Sequence, residues 1–266
     1  MGRDVEISYP PQRIISLVPS QTELLVELGL SKRLAGITKF CIHPAEKLNT
    51  VVKVGGTKQL KIDKIRDLRP DLIIGNKEEN DKSQIDALIQ EFPVWMSDIE
   101  TLNDSFHMMR SIGDLTGKAK EAEHLVDVIR ERFTALEHRF ISEPVRIAYF
   151  IWKDPYMVAG QCTFINEMLE IAGWVNVFNK ARYPVVTADE IREAKPDVLF
   201  LSSEPYPFKE KHIAEFMQIC PAAMIITVDG ELFSWYGSRL KHTPGYLRTL
   251  QSVVNQPKRD NNKNMF

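Results

Sequence analysis

Apolar residues follow two patterns along this chain: short unbroken runs, and longer stripes in which they recur every three or four positions. The unbroken runs include residues 72–75 and 198–201, and each of these follows a Pro-Asp pair. Short apolar runs bounded by turn residues are typical of buried strands, whereas the stripes are typical of amphipathic helices. Their alternation predicts an α/β protein built on parallel sheets.

One stretch of ten residues occurs twice in altered form. Residues 65–74 read IRDLRPDLII, and residues 191–200 read IREAKPDVLF. In each copy we expect an amphipathic helix to end before the proline, because the ring disfavours helical geometry in the preceding residue. A buried strand then follows. The duplication predicts the same helix–strand step in two halves of the chain.

Each half also opens with an apolar strand, a loop and a helix. These segments are residues 13–30 in the first half, and residues 145–152 leading through 163–174 in the second. Glycine ends the helix in both, at Gly29 and at Gly173. In the first half, Ser20 and Glu23 have the spacing of a capping box, in which the serine caps the helix. The alternative role for Ser20 is contact with a ligand.

A charged segment without internal glycine or proline lies between the halves. Residues 117–140 place their apolar side chains on one helical stripe, which predicts a helix roughly 30–35 Å long. We therefore expect an N-terminal lobe at residues 1–116, a connecting helix within 117–143, a C-terminal lobe at 144–255 and a flexible polar tail at 256–266. The alternative is a crossover helix inside one continuous sheet.

Ligands of open parallel sheets bind outside the carboxyl ends of the strands, where loops converge. The repeat identifies two such loops, residues 75–80 and residues 202–212. If the lobes face each other, these loops line a shared cleft. Aromatic and polar side chains in the strand-end loops fit a flat organic ligand, although the aromatic residues could instead fill a core and the charged ones could be solvated. The predicted ligand-binding residues are Ser20, Thr57, Lys58, Gln59, Lys77, Glu78, Glu79, Asn80, Trp152, Tyr156, Glu204, Tyr206, Trp235 and Tyr236.

Composition narrows the classes of protein that remain. Apolar residues make up 44% of the chain and charged residues 26%, which are ordinary globular values and exclude global disorder. The 34 basic and 36 acidic residues nearly balance, so we expect no nucleic-acid partner. The three cysteines form no paired motif. No apolar run approaches the ~18 residues of a membrane span, so we expect a chain that does not cross the bilayer.

Motifs of catalysis and of metal binding are missing from the sequence. It contains no GxSxG, P-loop, GxGxxG or HExxH pattern, and the six histidines lack the spacing of a tight metal site. His43 and His212 lie in or near loops, where each could reach a ligand's metal or have only a structural role. We expect binding rather than catalysis, with no catalytic residues, no resident metal and no cofactor.

Four stretches resemble the substrate-binding proteins with a helical backbone that serve ABC importers. They are GRDVEISYPPQRIISLVPSQTELLVELGL from residue 2, GGTKQLKIDKIRDLRPDLIIG from residue 55, WKDPYMVAGQCTFINEMLEIAGWVNVF from residue 152 and FSWYGSRLKHTPGYLRTL from residue 233. The resemblance implies two Rossmann-like lobes joined by a single long rigid helix, as in helical backbone metal receptors, with the ligand between the lobes. The chain departs from the cobalamin-binding members at Thr57, where they have an aromatic residue.

The resemblance also implies a function. The expected protein is a non-enzymatic binder of a metal-chelate nutrient, a cobalamin-like corrinoid first and an iron–siderophore or haem second. It would deliver this ligand, which itself carries the cobalt or iron, to ABC importer permease subunits. The resemblance implies a periplasmic monomer that docks through carboxylates at Asp63 and Glu231, with Ser234 as the other candidate at the second position. Because residues 1–11 lack the apolar centre of a signal peptide, the alternative is a cytosolic corrinoid or chelate carrier or salvage enzyme on the same fold.

Overall fold

The computed structural model describes residues 5–136 and 144–255 of the chain, which divides into two compact units. The first unit contains the residues up to Phe133 together with Ser234–Lys241. The second contains Thr134–Phe233 and the residues from His242 onward. The flexible tail predicted at residues 256–266 lies outside the described residues, as do the first four residues of the predicted N-terminal lobe.

The first unit is built on a parallel five-stranded sheet with the strand order β3-β2-β1-β6-β7. The sheet strands are β1 (Ile14–Ser16), β2 (Leu34–Ile37), β3 (Val52–Lys53), β6 (Leu72–Asn76) and β7 (Val94–Ser97). An antiparallel hairpin is formed by β4 (Gly55–Gly56) and β5 (Gln59–Leu60). The helices are α1 (Pro19–Glu27), α2 (Ala45–Leu48), α3 (Ile62–Leu68), α4 (Lys82–Ile89), α5 (Leu102–Thr116) and α6 (Ala119–Thr134).

The second unit has its own sheet, with the parallel order β10-β8-β11-β12 and with β9 antiparallel to β8. The strands are β8 (Arg146–Trp152), β9 (Met157–Val158), β10 (Val175–Asn176), β11 (Val198–Ser202) and β12 (Met224–Val228). The helices are α7 (Phe164–Ile171), α8 (Ala188–Glu193), α9 (Ile213–Ile219), α10 (Glu231–Ser234) and α11 (Thr243–Val254). The predicted α/β class with parallel sheets is confirmed, and the alternative of one continuous sheet is wrong.

The helix–strand repeat is confirmed in both units. Helix α3 leads to the fully buried strand β6, and α8 leads to the fully buried strand β11. The residue before each proline, Arg69 or Lys195, has a left-handed φ of 45°, so the helix has already ended there. Burial at every position of β6 and β11 is expected for central strands of a parallel sheet covered on both faces.

An arginine before the first sheet strand and the aspartate of the repeat make equivalent contacts in both units. Asp71 accepts the backbone N–H of Arg13 at 2.8 Å, and Asp197 accepts that of Arg146 at 3.0 Å. In return, the guanidinium of Arg13 donates to carbonyls at the end of α3, and that of Arg146 donates to carbonyls just after α8. In each unit, this Arg–Asp clamp fastens the first sheet strand to the repeated helix–strand step.

The predicted connecting helix is shorter than expected where it is described. Helix α6 has 16 residues, which corresponds to about 24 Å. It begins at Ala119 because Gly117, with a φ of 72°, ends α5 in the left-handed conformation. Residues 137–140 of the predicted helix lie outside the described residues. The division between the units falls after Phe133, and Ser234–Lys241 groups with the first unit although its residues were predicted in the C-terminal lobe.

The predicted capping box at Ser20 is wrong. Helix α1 begins one residue earlier, at Pro19, because the fixed φ of proline suits the first turn of a helix. The N-cap position is therefore occupied by Val18, whose apolar side chain cannot accept a hydrogen bond. Ser20 lies buried within the first turn, and Glu23 forms an ion pair with Arg239 instead.

Among the helices of residues 5–136 and 144–255, none is both long enough and apolar enough to cross a membrane.

Candidate functional site

Each sheet contains a point at which the direction of chain progression reverses. In the first unit the chain proceeds from β1 toward β2 and β3, and later adds β6 and β7 on the other side of β1. In the second unit the reversal lies between β8 and β11. Such a reversal is called a switch point. The loops that leave the two strands on either side of it diverge and form a crevice at the carboxyl ends of the strands, which is the usual ligand position of open α/β sheets. Predicted site residues follow these strands in both units.

The loops at the first switch point are tied together by Asn80 and Lys58. The buried Asn80 side chain donates from Nδ2 to the carbonyl of Thr57 at 3.1 Å and to that of Leu17 at 3.3 Å. Lys58 Nζ donates to the carbonyl oxygens of Glu78 and Asn80. The structure therefore brings the β4–β5 turn and the loops after β1 and β6 together, as the sequence predicted.

A buried amide also holds the turn that carries the two glutamates. Asn76 Oδ1 accepts the backbone N–H of Glu78 at 2.8 Å and that of Glu79 at 3.2 Å. The neighbouring Lys77 forms an ion pair with Asp98. Predicted residue Gln59 lies in β5, next to the turn. The turn is therefore held in place by the protein itself, and ligand contact by Glu78 and Glu79 stays a prediction.

Sequence reasoning missed two apolar residues at this edge. Phe40 and Ile42 are 49% and 52% exposed and lie in the loop that follows β2. A Cβ built on Gly56 would lie 3.2 Å from Phe40 Cε2, so the aromatic ring packs beside the hairpin turn at Thr57. Two large apolar residues close to Pro44 were the available signal. An exposed aromatic ring thus lies beside the turn that contains Thr57.

The segment Ser234–Lys241 contributes two predicted aromatic residues, and both are buried. Trp235 and Tyr236 are each 6% exposed. The guanidinium of Arg239 lies 4.6 Å from the Trp235 ring centroid and makes two hydrogen bonds with Glu23, at 2.7 and 3.1 Å. Ser105 Oγ donates to the Tyr236 carbonyl at 2.6 Å. These contacts fasten the segment to the first unit, and ligand contact by its aromatic rings stays a prediction.

The second switch point brings Trp152 and Tyr206 together. Trp152 ends β8 and is 39% exposed, while the half-buried Tyr206 follows β11. Their ring centroids lie 5.6 Å apart in an edge-to-face arrangement. Tyr206 also packs against Phe208, with 4.7 Å between centroids. The result is an aromatic surface in which Trp152 is exposed, Tyr206 packs against it and Phe208 packs against Tyr206.

Tyr156 was predicted to contact a ligand, and its hydroxyl and ring both contact other residues of the second unit. Its hydroxyl donates to Glu215, whose carboxylate also forms an ion pair with Lys153. Burial raises the pKa of Glu215, but the hydrogen bonds from Lys153 and Tyr156 outweigh this and leave that pKa below its usual value. Burial and the bond to Glu215 raise the pKa of Tyr156. The Tyr156 hydroxyl is therefore committed to a protein partner, and its ring packs 5.4 Å from that of Phe216.

The remaining predicted residues are Glu204, in the loop after β11, and the two docking carboxylates, which lie in the first turns of helices. In the loop after β11, the Glu204 backbone N–H donates to Ser202 Oγ at 3.3 Å. The highly exposed Asp63 lies in the first turn of α3 and pairs with Arg66 at 3.0 Å, whereas Glu231 begins α10. Across the described parts of the chain, no three His, Cys, Asp or Glu side chains form a group that could hold a metal ion.

Comparison with known proteins agrees with this architecture. A "Vitamin B12-binding protein" of Vibrio cholerae is 26% identical over 198 residues, which cover 73% of this chain and 71% of that protein. An uncharacterised ABC transporter substrate-binding lipoprotein of Bacillus subtilis is 28% identical over 200 residues, covering 68% and 63% of the two chains. The apo periplasmic haem-binding protein from Roseiflexus sp. RS-1 has a similar fold, with a TM-score of 0.79 at 20% identity over 91% of this chain and 97% of that one.

The family described as periplasmic binding protein matches residues 14–222, well over half of the chain. The resemblance inferred from the sequence is thereby confirmed, and this chain belongs to the periplasmic binding protein family.

Proposed function

We propose that this protein is a non-enzymatic substrate-binding protein of an ABC importer, and that its ligand is a flat metal chelate. The observation that carries the proposal is the aromatic surface at the second switch point, where exposed Trp152 packs against Tyr206. A flat ligand gains most from rigid aromatic faces with polar groups at their margins. The exposed Phe40 beside the Lys58 turn offers a similar combination in the first unit.

The proposed ligand is a cobalamin-like corrinoid first, with haem or a ferric siderophore second. The B12-binding relative supports this order, because its similarity lies in the sequence itself, whereas the haem-binding structure shares the fold alone. Phe40 places an aromatic ring beside the turn at Thr57, and we propose that this ring contacts the ligand. The cobalt or iron would arrive within the chelate, and the protein would need no metal site of its own.

The proposed partners are the permease subunits of an importer, in line with the name of the Bacillus subtilis relative. Asp63 and Glu231 are the proposed docking carboxylates, and Asp63 is accessible for this role. The proposed location is the periplasm or the outer face of the cell membrane, where relatives of this family act as periplasmic proteins or lipoproteins. We propose that the protein works as a monomer.

The proposal is tested by titrating the purified protein with cyanocobalamin, haemin and a ferric hydroxamate siderophore. Binding should change the visible spectrum of one of these chelates. It should also stabilise the protein by ~2.7 kcal/mol at a hundredfold excess over Kd, which a thermal melt detects. If none of the three changes either signal, the proposed function is wrong.

Two variants test which unit contributes to the site. Trp152→Ala in the second unit and Phe40→Ala in the first should each weaken binding by about 1–3 kcal/mol, because each removes an aromatic ring that a bound ligand would bury. The matched control is Tyr9→Ala, which removes an exposed ring that precedes the amino end of β1 and lies beside Gly117, away from the loops at the carboxyl ends of the strands. A loss with Trp152→Ala would support ligand contact in the second unit, and a loss with Phe40→Ala would support ligand contact in the first.

A further inference from the structure

His212 has a proton arrangement that its neighbours determine. The imidazole is 7% exposed, and its Nδ1 lies 2.9 Å from the backbone nitrogen of Lys209. A backbone N–H can only donate, so Nδ1 must accept and carries no proton in the neutral ring. The single proton of the neutral imidazole is therefore on Nε2.

This tautomer decides the direction of the next hydrogen bond. Nε2 of His212 lies 3.3 Å from the Tyr206 hydroxyl oxygen, and the two rings pack edge to face with 5.5 Å between centroids. Because Nε2 carries the proton, His212 donates and the Tyr206 oxygen accepts. A phenol has one proton of its own, which this bond does not use. The Tyr206 hydroxyl is thus left as a donor toward another acceptor.

Tyr156 and Tyr206 differ in whether the hydroxyl proton is used in a hydrogen bond within the protein. Tyr156 donates its proton to the carboxylate of Glu215, so that donor is consumed inside the protein. Tyr206 receives a hydrogen bond and lies beside the exposed ring of Trp152, at the carboxyl ends of β8 and β11. The position where a flat ligand would rest against Trp152 therefore lies beside a tyrosine whose hydroxyl proton is not used by the bond with His212.

We propose that Tyr206 donates a hydrogen bond to an oxygen acceptor on the rim of a ligand whose flat face lies against Trp152. His212 is the positioning residue, since it donates to the Tyr206 oxygen and so leaves the phenol proton for another acceptor. The acceptor is a carboxylate or an amide carbonyl, groups that a haem or a corrinoid carries on its rim. This inference rests on the proposed function and specifies the polar contact within it.

The test compares affinities for haemin and for cyanocobalamin, which present a carboxylate and an amide carbonyl respectively. Tyr206→Phe removes only the hydroxyl and should weaken binding of the cognate chelate about tenfold, the effect of one hydrogen bond to a ligand acceptor. The matched control is Tyr9→Phe, which changes the same atom at an exposed position and should bind as the wild type does. Thermal melts of both variants show whether each remains folded.

The positioning role is tested by two replacements of His212. Gln offers an amide N–H near the place of Nε2 and should retain affinity, whereas Asn can accept the Lys209 N–H but cannot reach Tyr206. His212→Asn should therefore weaken binding, and adding it to Tyr206→Phe should cost no further affinity. Nitrogen NMR of the ring should show Nε2 protonated at neutral pH.

The outcomes separate the two proposals. If the wild type binds a chelate and Tyr206→Phe binds it equally well, the hydrogen bond from Tyr206 is refuted while the proposed function stands. A ring protonated on Nδ1, or equal affinity in the Gln and Asn variants of His212, refutes the positioning role. If no chelate binds the wild type, the proposed function falls and this inference falls with it.

Discussion

The ion pair between Glu23 and Arg239 should contribute more to stability than its surface neighbours. The two side chains are 18% and 16% exposed, they make two parallel hydrogen bonds, and the guanidinium also stacks over Trp235. A bidentate pair with this little exposure is screened weakly by solvent. Arg239→Met leaves a largely buried carboxylate without its counter-charge, so we expect a loss of about 2–4 kcal/mol in the free energy of unfolding.

A double-mutant cycle isolates the interaction from these side effects. Glu23→Gln and Arg239→Met, alone and combined, are compared by urea unfolding, and the expected coupling is about 1.5–3 kcal/mol. Helix α1 and the segment Ser234–Lys241 also provide the matched control, the ion pair between Glu27 and Lys241. This pair has one contact at 2.6 Å, and its side chains are 43% and 24% exposed. That second cycle should give a coupling of about 0.2–1 kcal/mol.

The two coupling energies should also differ in their dependence on salt. Raising the ionic strength to ~1 M shortens the screening length to roughly 3 Å, which should abolish the Glu27–Lys241 coupling and leave most of the Glu23–Arg239 coupling. Equal couplings for the two pairs, or an equal loss of both in salt, would show that burial does not distinguish them. The anchoring of Ser234–Lys241 would then have to come from its apolar contacts.

Two further predictions concern close packing and pH. Gly237→Ala should lose about 1–3 kcal/mol in urea unfolding, because the new Cβ would lie 2.5 Å from a backbone oxygen of α1 that no rotamer change can move. Gly245→Ala, with open space around it in α11, should gain up to ~1 kcal/mol, and a loss there would contradict this account. Glu215 has a lowered pKa in the folded state, so its contribution is present above its unfolded value of about 4.5 and is lost as pH falls through the folded value. The melting temperature of Glu215→Gln should therefore fall less than that of the wild type on acidification, and parallel curves would argue against the role of its bonds with Lys153 and Tyr156.

The features that sequence reasoning recovered are those specified by neighbouring residues. The helix–strand step was readable because a proline ends each helix locally and a run of apolar residues follows it at once. The proximity of the loops after β1 and β6 then followed from the geometry of parallel strands, and the β4–β5 turn with Thr57 and Lys58 contacts Asn80 in the second of these loops. Two local signals can also disagree. Ser20 was predicted to cap α1, but the preceding proline is the first residue of the helix and places Ser20 inside the first turn.

The features that it missed depend on contacts between distant residues. Ser234–Lys241 joins the first unit through ion pairs that span more than 200 positions, and nothing in the local pattern of the segment reports them. The exposure of Phe40 was equally hidden, since the neighbouring Cys41 is buried and both residues count as apolar. The direction of the Tyr206 hydrogen bond depends on a backbone nitrogen and could be inferred only from coordinates.

The Arg–Asp clamp and the proposed binding surface lie at opposite ends of the same strands. In the second unit, Arg146 and Asp197 hold the amino ends of β8 and β11, whereas Trp152 and Tyr206 lie at or beyond the carboxyl ends. The five residues of β11 put roughly 16 Å between these ends. The clamp joins the starts of β8 and β11, which are neighbours in the sheet, and its residues are too distant to touch a ligand held at the carboxyl ends. The aspartate of the repeat is therefore remote from the proposed binding surface, whereas the strand-end loops, which differ between the two units, lie beside it.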